Sequence, residues 1–364
     1  MKKEDVFFFF KGEMVRIPAG EFMMGEDIPV GPGRLPRETE RALPIHRVTL
    51  DAFEMGATQV TNAQYCDFLN AALYEEKIVV QKNNAGNGWL MTRVKESIPC
   101  WEVVGAESEP YSGWRYIMLS PIQSLSHYRV PEHVISRSWI FYDPHYEYFF
   151  VHMGFEDYPV SFVTWYGAYA FSKFYGLSLA TEAQWEYAAR GGQQLRYPTD
   201  DGTMDCSKAN YGCNSYNHGL PFPPGGDVGD PMEENYLDCA TPAVTKGNRY
   251  SPNPFGLYNM AGNLEEWCLD WYDPKFYQRC VDEGIVHNPL NLDGEDLPAE
   301  VQMTLKHDEH YYEGDVRVIR GAGMHQPIVR TLSASRGGNY PLRANDHNGF
   351  RVVNNEPGKT PRCK

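Results

Sequence analysis

The chain has 364 residues, 42% apolar and 14% aromatic, which is enough to bury a large core and excludes a disordered or fibrous protein. Its 33 lysines and arginines against 48 acids give a formal charge of −15, which repels phosphate backbones and anionic lipid heads, so nucleic-acid and membrane-surface partners are not expected. The eight cysteines are scattered without a CxxC pair, so neither a zinc site nor a disulfide scaffold is implied, although a bridge or two is compatible with them.

At the N-terminus Lys2 and Lys3 precede Val6–Phe10, but Glu4 and Asp5 interrupt and the apolar run is too short for a signal peptide, so it reads as a leading strand. No stretch approaches the roughly 18 apolar residues of a membrane span. The expected location is cytoplasmic, or on a virion or cell surface by another route. Met14, Ile17, Phe22 and Met24 around a Pro18–Gly20 break predict a strand, a turn and a strand, and Asp27–Arg41 predicts a surface loop. A period-2 strand near His46–Phe53 precedes a helix capped by Thr61, with Tyr65, Phe68, Leu69 and Ala72 on its apolar side.

Residues 76–157 lack sustained periodicity and read as an insertion, with a hairpin over Arg137–Val151 carrying Trp139, Phe141, Tyr146, Tyr148 and Phe150. From Tyr158 the chain predicts a strand, a Thr164 cap and a helix ending at Gly176. Thr181 and Gln184 then form a capping box for a further helix that stops at Gly191–Gly192. Residues 193–252 are too rich in Gly, Asn, Asp and Pro for regular elements. After the dense motif Gly256–Trp271 comes a polar insertion at 284–312, and Asp315–Ile319 with Asn348–Val353 predict two closing strands.

Six blocks in order, IPAGEFMMG at 17–25, TQVTNAQYCDFLNA at 58–71, YPVSFVTWYGAYAF at 158–171, TEAQWEYAARGG at 181–192, NPFGLYNMAGNLEEWCLDW at 253–271 and RVIRGAG…NGFRVV at 317–353, resemble the formylglycine-generating-enzyme (sulfatase-modifying factor) family. The resemblance implies an α+β, C-type-lectin-like fold of short antiparallel strands, two main helices and much irregular backbone. It implies one domain over residues 1–355, with insertions at 76–157 and 284–312 and a tail at 356–364.

Asn259, Gly262, Leu264 and Glu266 lie close together on a turn, where an amide oxygen, two carbonyls and a carboxylate can converge on a hard cation. The resemblance implies a structural calcium at the same four positions; the alternative is a loop in which Glu266 caps backbone N–H groups. A second family calcium site would use Asn210 and the Tyr211 carbonyl with a downstream aspartate, for which Asn235 and Asp238 are no clean match.

The enzyme that names the family oxidises a substrate cysteine with copper held by two cysteines after an RGGS-type turn. Here that segment runs from Arg320 to Arg336, and no cysteine lies between Cys280 and Cys363. Soft Cu(I) requires thiolate, so copper and formylglycine synthesis are not expected. The family's Gly-Gly-Ser-Trp is replaced by Gly321-Ala-Gly-Met324, and His307 with His310 in an acidic stretch read as a solvated turn. What remains is a binding scaffold, with recognition on Met324, His325, Gln326, Ile328, Val329, Arg330, Arg336, Asn339, Tyr340, Leu342, Arg343, Asn345, Asp346 and His347, a Tyr, Asn, His and Arg mixture suited to a protein or other macromolecular ligand. That position matches the C-terminal segment of another family branch, the variable proteins of diversity-generating retroelements. The alternative is a diverged family oxidoreductase without the cysteine pair.

Overall fold

The computed structural model describes residues 8–27, 41–83, 100–119, 138–212, 244–296, 315–324 and 326–358. Three threonines start helices in it. Thr61 Oγ1 accepts from the Gln64 N–H and the Gln64 side chain accepts from the Thr61 N–H, a closed capping box that opens α1 (Asn62–Tyr74). Thr164 accepts from the Gly167 N–H to open α2 (Trp165–Phe174), and Thr181 repeats the box with Gln184 at α3 (Glu182–Ala189). Gly176 and Gly191 follow α2 and α3 at φ +70° and +61°, left-handed backbone that ends a helix at least cost in glycine. A helix that the sequence pattern does not announce, α4 (Phe276–Glu283), ends the same way at Gly284. The two long helices α1 and α2 are thus joined by two of eight residues each.

The strands are short. β1 (Met14–Ile17) and β2 (Gly20–Met24) lie where the Pro18–Gly20 break predicts them, whereas the expected strand at His46–Phe53 divides into β3 (His46–Leu50) and β4 (Phe53–Gly56). The 76–157 insertion holds an antiparallel sheet of β5 (Ile78–Asn83), β6 (Cys100–Gly105) and β7 (Arg115–Met118), followed by the expected hairpin of β8 (Ile140–Asp143) and β9 (Tyr148–Val151). No strand forms at Tyr158–Val163. Its backbone groups are taken singly by different elements: the Val160 N–H donates to Val60 O, the Phe162 N–H to Asn345 O, and Phe162 O accepts from Met118.

The remaining strands are β10 (Ser178–Leu179), β11 (Glu265–Trp271), β12 (Arg317–Arg320), β13 (Gly337–Asn339), β14 (Asn348–Gly349) and β15 (Val352–Asn354). They complete two four-stranded sheets, ordered β1-β4-β15-β10 and β13-β12-β11-β14, antiparallel except for the parallel pair β11–β14. β11 runs between two cores. Trp267 packs with α1, α2 and the insertion strands, while its neighbour Cys268 packs with β1–β4, α3 and α4, as the alternation of side chains along a strand requires.

Charged groups sit inside this core and are paired there, as burial of a charge demands. Glu182 binds Arg336 through two hydrogen bonds, Glu186 binds Arg190 and Arg320, and Glu266 binds Arg351. The Arg317 guanidinium lies between the rings of Trp165 and Trp271, 3.7 and 3.5 Å from their centroids, and fastens α2 to the β11–β12 pair. Cys206 is disulfide-bonded, and Cys66, Cys268 and Cys280 are free and buried. Among the described residues no helix is long and apolar enough to cross a membrane.

Asp270 pins three segments together. Its carboxylate accepts from the N–H of Glu182 at 2.7 Å, at the start of α3, and from the N–H of Asn291 at 3.0 Å, beyond α4. Burial, reinforced by the Glu182 carboxylate, pushes the Asp270 carboxyl up to about 7. A raised value in the folded state favours the protonated form, so the contribution is complete below the ordinary aspartate range and is lost as pH rises toward about 7. Urea titrations between about pH 4 and pH 7 should show the wild type losing stability over that interval and Asp270→Asn losing less of it. Parallel profiles for the two proteins would show that Asp270 does not titrate there.

Candidate functional site

The turn before β11 brings the C-terminal segment to one place. Asn259, Gly262 and Asn263 adopt positive φ, which asparagine tolerates and glycine favours. The Gly321–Met324 turn docks on them, with the Gly262 N–H donating to Gly321 O and the Met324 N–H to Asn263 O. The parallel pairing of Glu265 with Asn348 then sets His347 beside Glu265, whose N–H donates to His347 O at 2.7 Å.

Four polar side chains meet there. His347 Nδ1 lies 2.8 Å from Asp346 Oδ1, and its Nε2 lies 3.7 Å from Glu265 Oε2. Glu265 Oε1 accepts from the Gln326 side-chain amide. The cluster needs Gly323, because a Cβ there would lie 2.8 Å from His347 Cβ. Met324, Leu264 and Val244 make an apolar cluster next to it. One imidazole facing two carboxylates, with an amide alongside, can bind a cationic or hydrogen-bond-donating group. Glu265 is absent from the sequence-derived set. Its signal was the Glu265-Glu266 pair itself, since adjacent residues of a strand point to opposite faces and two carboxylates side by side need two different sets of partners.

The proposed recognition segment divides by burial. Gln326, Ile328, Arg330, Arg343, Asn345 and His347 are partly exposed, and His325 lies outside the described residues. Seven others are interior and do not form a displayed surface. Arg336 is clamped by Glu182 under the Tyr277 ring, and Asn339 lies in β13 with its Oδ1 accepting from the Tyr340 N–H. Tyr340 and Leu342 belong to the two main cores, Val329 packs with Leu332 and Ala334, and Met324 lies under the cluster. Asp346, also buried, holds His347. Asn, Tyr and Arg suit recognition surfaces, but here buried partners satisfy their polar groups.

Most of the expected calcium ligands are engaged by other groups of the chain. Glu266 Oε1 accepts from Arg351 Nη2 at 2.8 Å and Gln59 Nε2 at 3.0 Å, and Oε2 accepts from Arg351 Nε at 2.6 Å and Trp185 Nε1 at 2.8 Å. Four N–H donors fill the carboxylate's lone pairs, and its charge is already neutralised. The same Gln59 amide donates to Leu264 O at 3.0 Å, so it occupies the point from which a cation would bridge Leu264 and Glu266. Gln59 Oε1 accepts from Asn263 Nδ2, which fixes the orientation of the amide. Asn259 Oδ1 is buried without a hydrogen-bond partner, a feature a cation would satisfy. The Asn210 carbonyl accepts from the Asn263 N–H, Tyr211 packs with Ala209 and Ala261, and Asn235, Asp238, His307 and His310 lie outside the described residues.

Comparison with known proteins agrees with this architecture. The sulfatase-modifying factor enzyme 1-like domain matches residues 9–356. A formylglycine-generating enzyme of Streptomyces coelicolor is 32% identical over 347 residues, covering 93% of this chain and 88% of its own. Among solved structures, PvdO from Pseudomonas aeruginosa matches with a TM-score of 0.51 at 19% identity over 97% of this chain and 99% of its own, which shows a shared fold. Treponema denticola variable protein 1 matches with a TM-score of 0.48 at 16% identity, covering 96% and 98%.

Two stability measurements follow. Glu266→Gln leaves Arg351 buried beside a neutral amide and should cost about 3–5 kcal/mol in denaturant unfolding. The melting temperature should be the same in EDTA and in millimolar calcium; a rise with calcium would mean that the Gln59 amide yields its place to the ion.

Proposed function

The chain belongs to the sulfatase-modifying factor enzyme 1-like family, and within it we propose a non-catalytic ligand-binding member that recognises its ligand at the partly exposed Gln326 and His347, held by the buried Glu265 and Asp346. One observation carries this. In the segment where the family's name-giving enzyme holds copper, Arg320 to Arg336, there is no cysteine, and none occurs between Cys280 and Cys363. Cu(I) binds soft thiolates, whereas this segment meets carboxylates, an imidazole and an amide, which are ligands for hydrogen-bond donors and hard cations. The free cysteines elsewhere are poor substitutes, because burial pushes the Cys66 thiol up to about 12 and the Cys280 thiol up to about 11.

The acidic cluster favours a ligand with a basic or amide-rich group, in keeping with a protein or other macromolecular partner. If the chain acts as a variable protein, the positions able to change without rebuilding the interior are Gln326, Ile328, Arg330, Arg343, Asn345 and His347, the partly exposed ones. Substitution at Arg336 or Tyr340 would disturb the core instead.

Two experiments test this. In competition with a Cu(I) chelator the protein should take up no stoichiometric copper and consume no oxygen with a cysteine-containing peptide; uptake of both would return it to the oxidoreductases. Cyclic peptides selected from a random library on the immobilised wild type should bind His347→Ala and Asn345→Ala at least ~10-fold more weakly. Peptides indifferent to both changes would move recognition away from this cluster.

A further inference from the structure

An antiparallel hairpin packed on a core buries one face and normally turns a polar face to water. The β8–β9 hairpin obeys the first half of the rule: Ile140, Tyr142 and Phe149 are buried in the core that includes α1. It breaks the second. The register pairs Phe141 with Phe150 and Asp143 with Tyr148 on the outward face, and Trp139 with His152 continues it where the His152 N–H donates to Trp139 O.

The outward rings form one strip. Phe155 stacks on Trp139 at 3.6 Å, Phe141 on Phe150 at 5.6 Å, and Tyr148 tilts against Phe150 at 5.1 Å. Tyr146 meets Phe150 edge-on from the turn. Tyr146 is 69% exposed, Tyr148 47% and Phe150 37%, with Met153 at 92% beyond the strand end. A contiguous exposed aromatic surface of this kind marks an interaction site.

Charge selects the partner. Between Ser138 and Asp157 the chain carries Asp143, Glu147, Glu156 and Asp157 and no lysine or arginine. Asp143 accepts from the His145 and Tyr146 N–H groups, Glu156 accepts from the Gly154 N–H, and Asp157 faces Lys246 at 3.6 Å. We propose that this face docks an extended peptide segment rich in arginine or lysine, whose cations lie over the rings and whose charge matches the acidic rim. A carbohydrate would use the same rings but would gain nothing from the acidic charges. The inference is independent of the C-terminal cluster, and each can fail alone.

The test titrates the full chain into a fluorescein-labelled alternating Arg-Pro peptide, which is extended before binding, with the Glu-Pro counterpart and a glucan oligosaccharide alongside. The Arg-Pro peptide should bind, weaken with added salt, and bind the double variant Phe141→Thr, Phe150→Thr at least ~10-fold more weakly. Tyr148→Ser, at an exposed position that supports no core contact, should weaken binding while leaving the circular dichroism and melting temperature unchanged, which separates docking from misfolding. Absence of binding, equal binding by folded variants, or preference for the glucan or the Glu-Pro peptide would each overturn the proposal.

Discussion

A carboxylate buried between two apolar cores cannot stand unpaired, and Glu266 meets that constraint by gathering donors from across the chain. Gln59 comes from the loop before α1, Trp185 from α3, and Arg351 from the segment ahead of β15. Arg351 extends the connection, donating to Gly56 O and Tyr258 O. The first and last parts of the chain are thereby held to the central strand β11. A buried ion pair of this sort adds little net stability over a well-packed apolar trio, but losing one partner is costly, so it serves to exclude other arrangements. Glu182 with Arg336 and Glu186 with Arg190 and Arg320 repeat the device around α3.

That register also decides where Glu265 lies. With Glu266 turned inward, Glu265 must face the other side of β11, where the parallel β14 delivers His347 and the Gly321–Met324 turn leads to Gln326. The polar cluster is thus a consequence of the buried pair one residue away. The same Gln59 amide that completes the Glu266 network fills the gap between Leu264 O and the carboxylate. Hydrogen bonds within the chain therefore do locally what a bound cation would do, linking the turn at Asn259–Leu264 to its surroundings.

Much of this fold was legible in the sequence, for identifiable reasons. Thr61, Thr164 and Thr181 announce their helices because the cap is a local interaction, and the β8–β9 hairpin shows in its alternating aromatics. The expected strand at Tyr158–Val163 failed because alternation describes a preference for extended backbone, whereas pairing depends on distant partners, and these took its backbone groups one at a time. α4 was obscured by its charged exterior, although Gly284 marks its end. For the site, the segment was legible and its burial was not. Arg336 and Tyr340 look like surface recognition residues until Glu182 and the second core are placed around them.

Two residues with strained backbone lie beside the cluster. Phe162 and Ala322 hold φ of +62° and +65°, a region that costs a side-chain-bearing residue free energy and persists only where tertiary contacts enforce it. The Phe162 N–H donates to Asn345 O, and Ala322 lies in the turn whose flanking residues bond to Gly262 and Asn263. Both strained residues therefore brace the loops that present Asn345, His347 and Gln326. A surface maintained only for solubility requires no such bracing. Held on both sides by strained but buried backbone, the cluster is preorganised, so little ordering cost remains when a ligand binds.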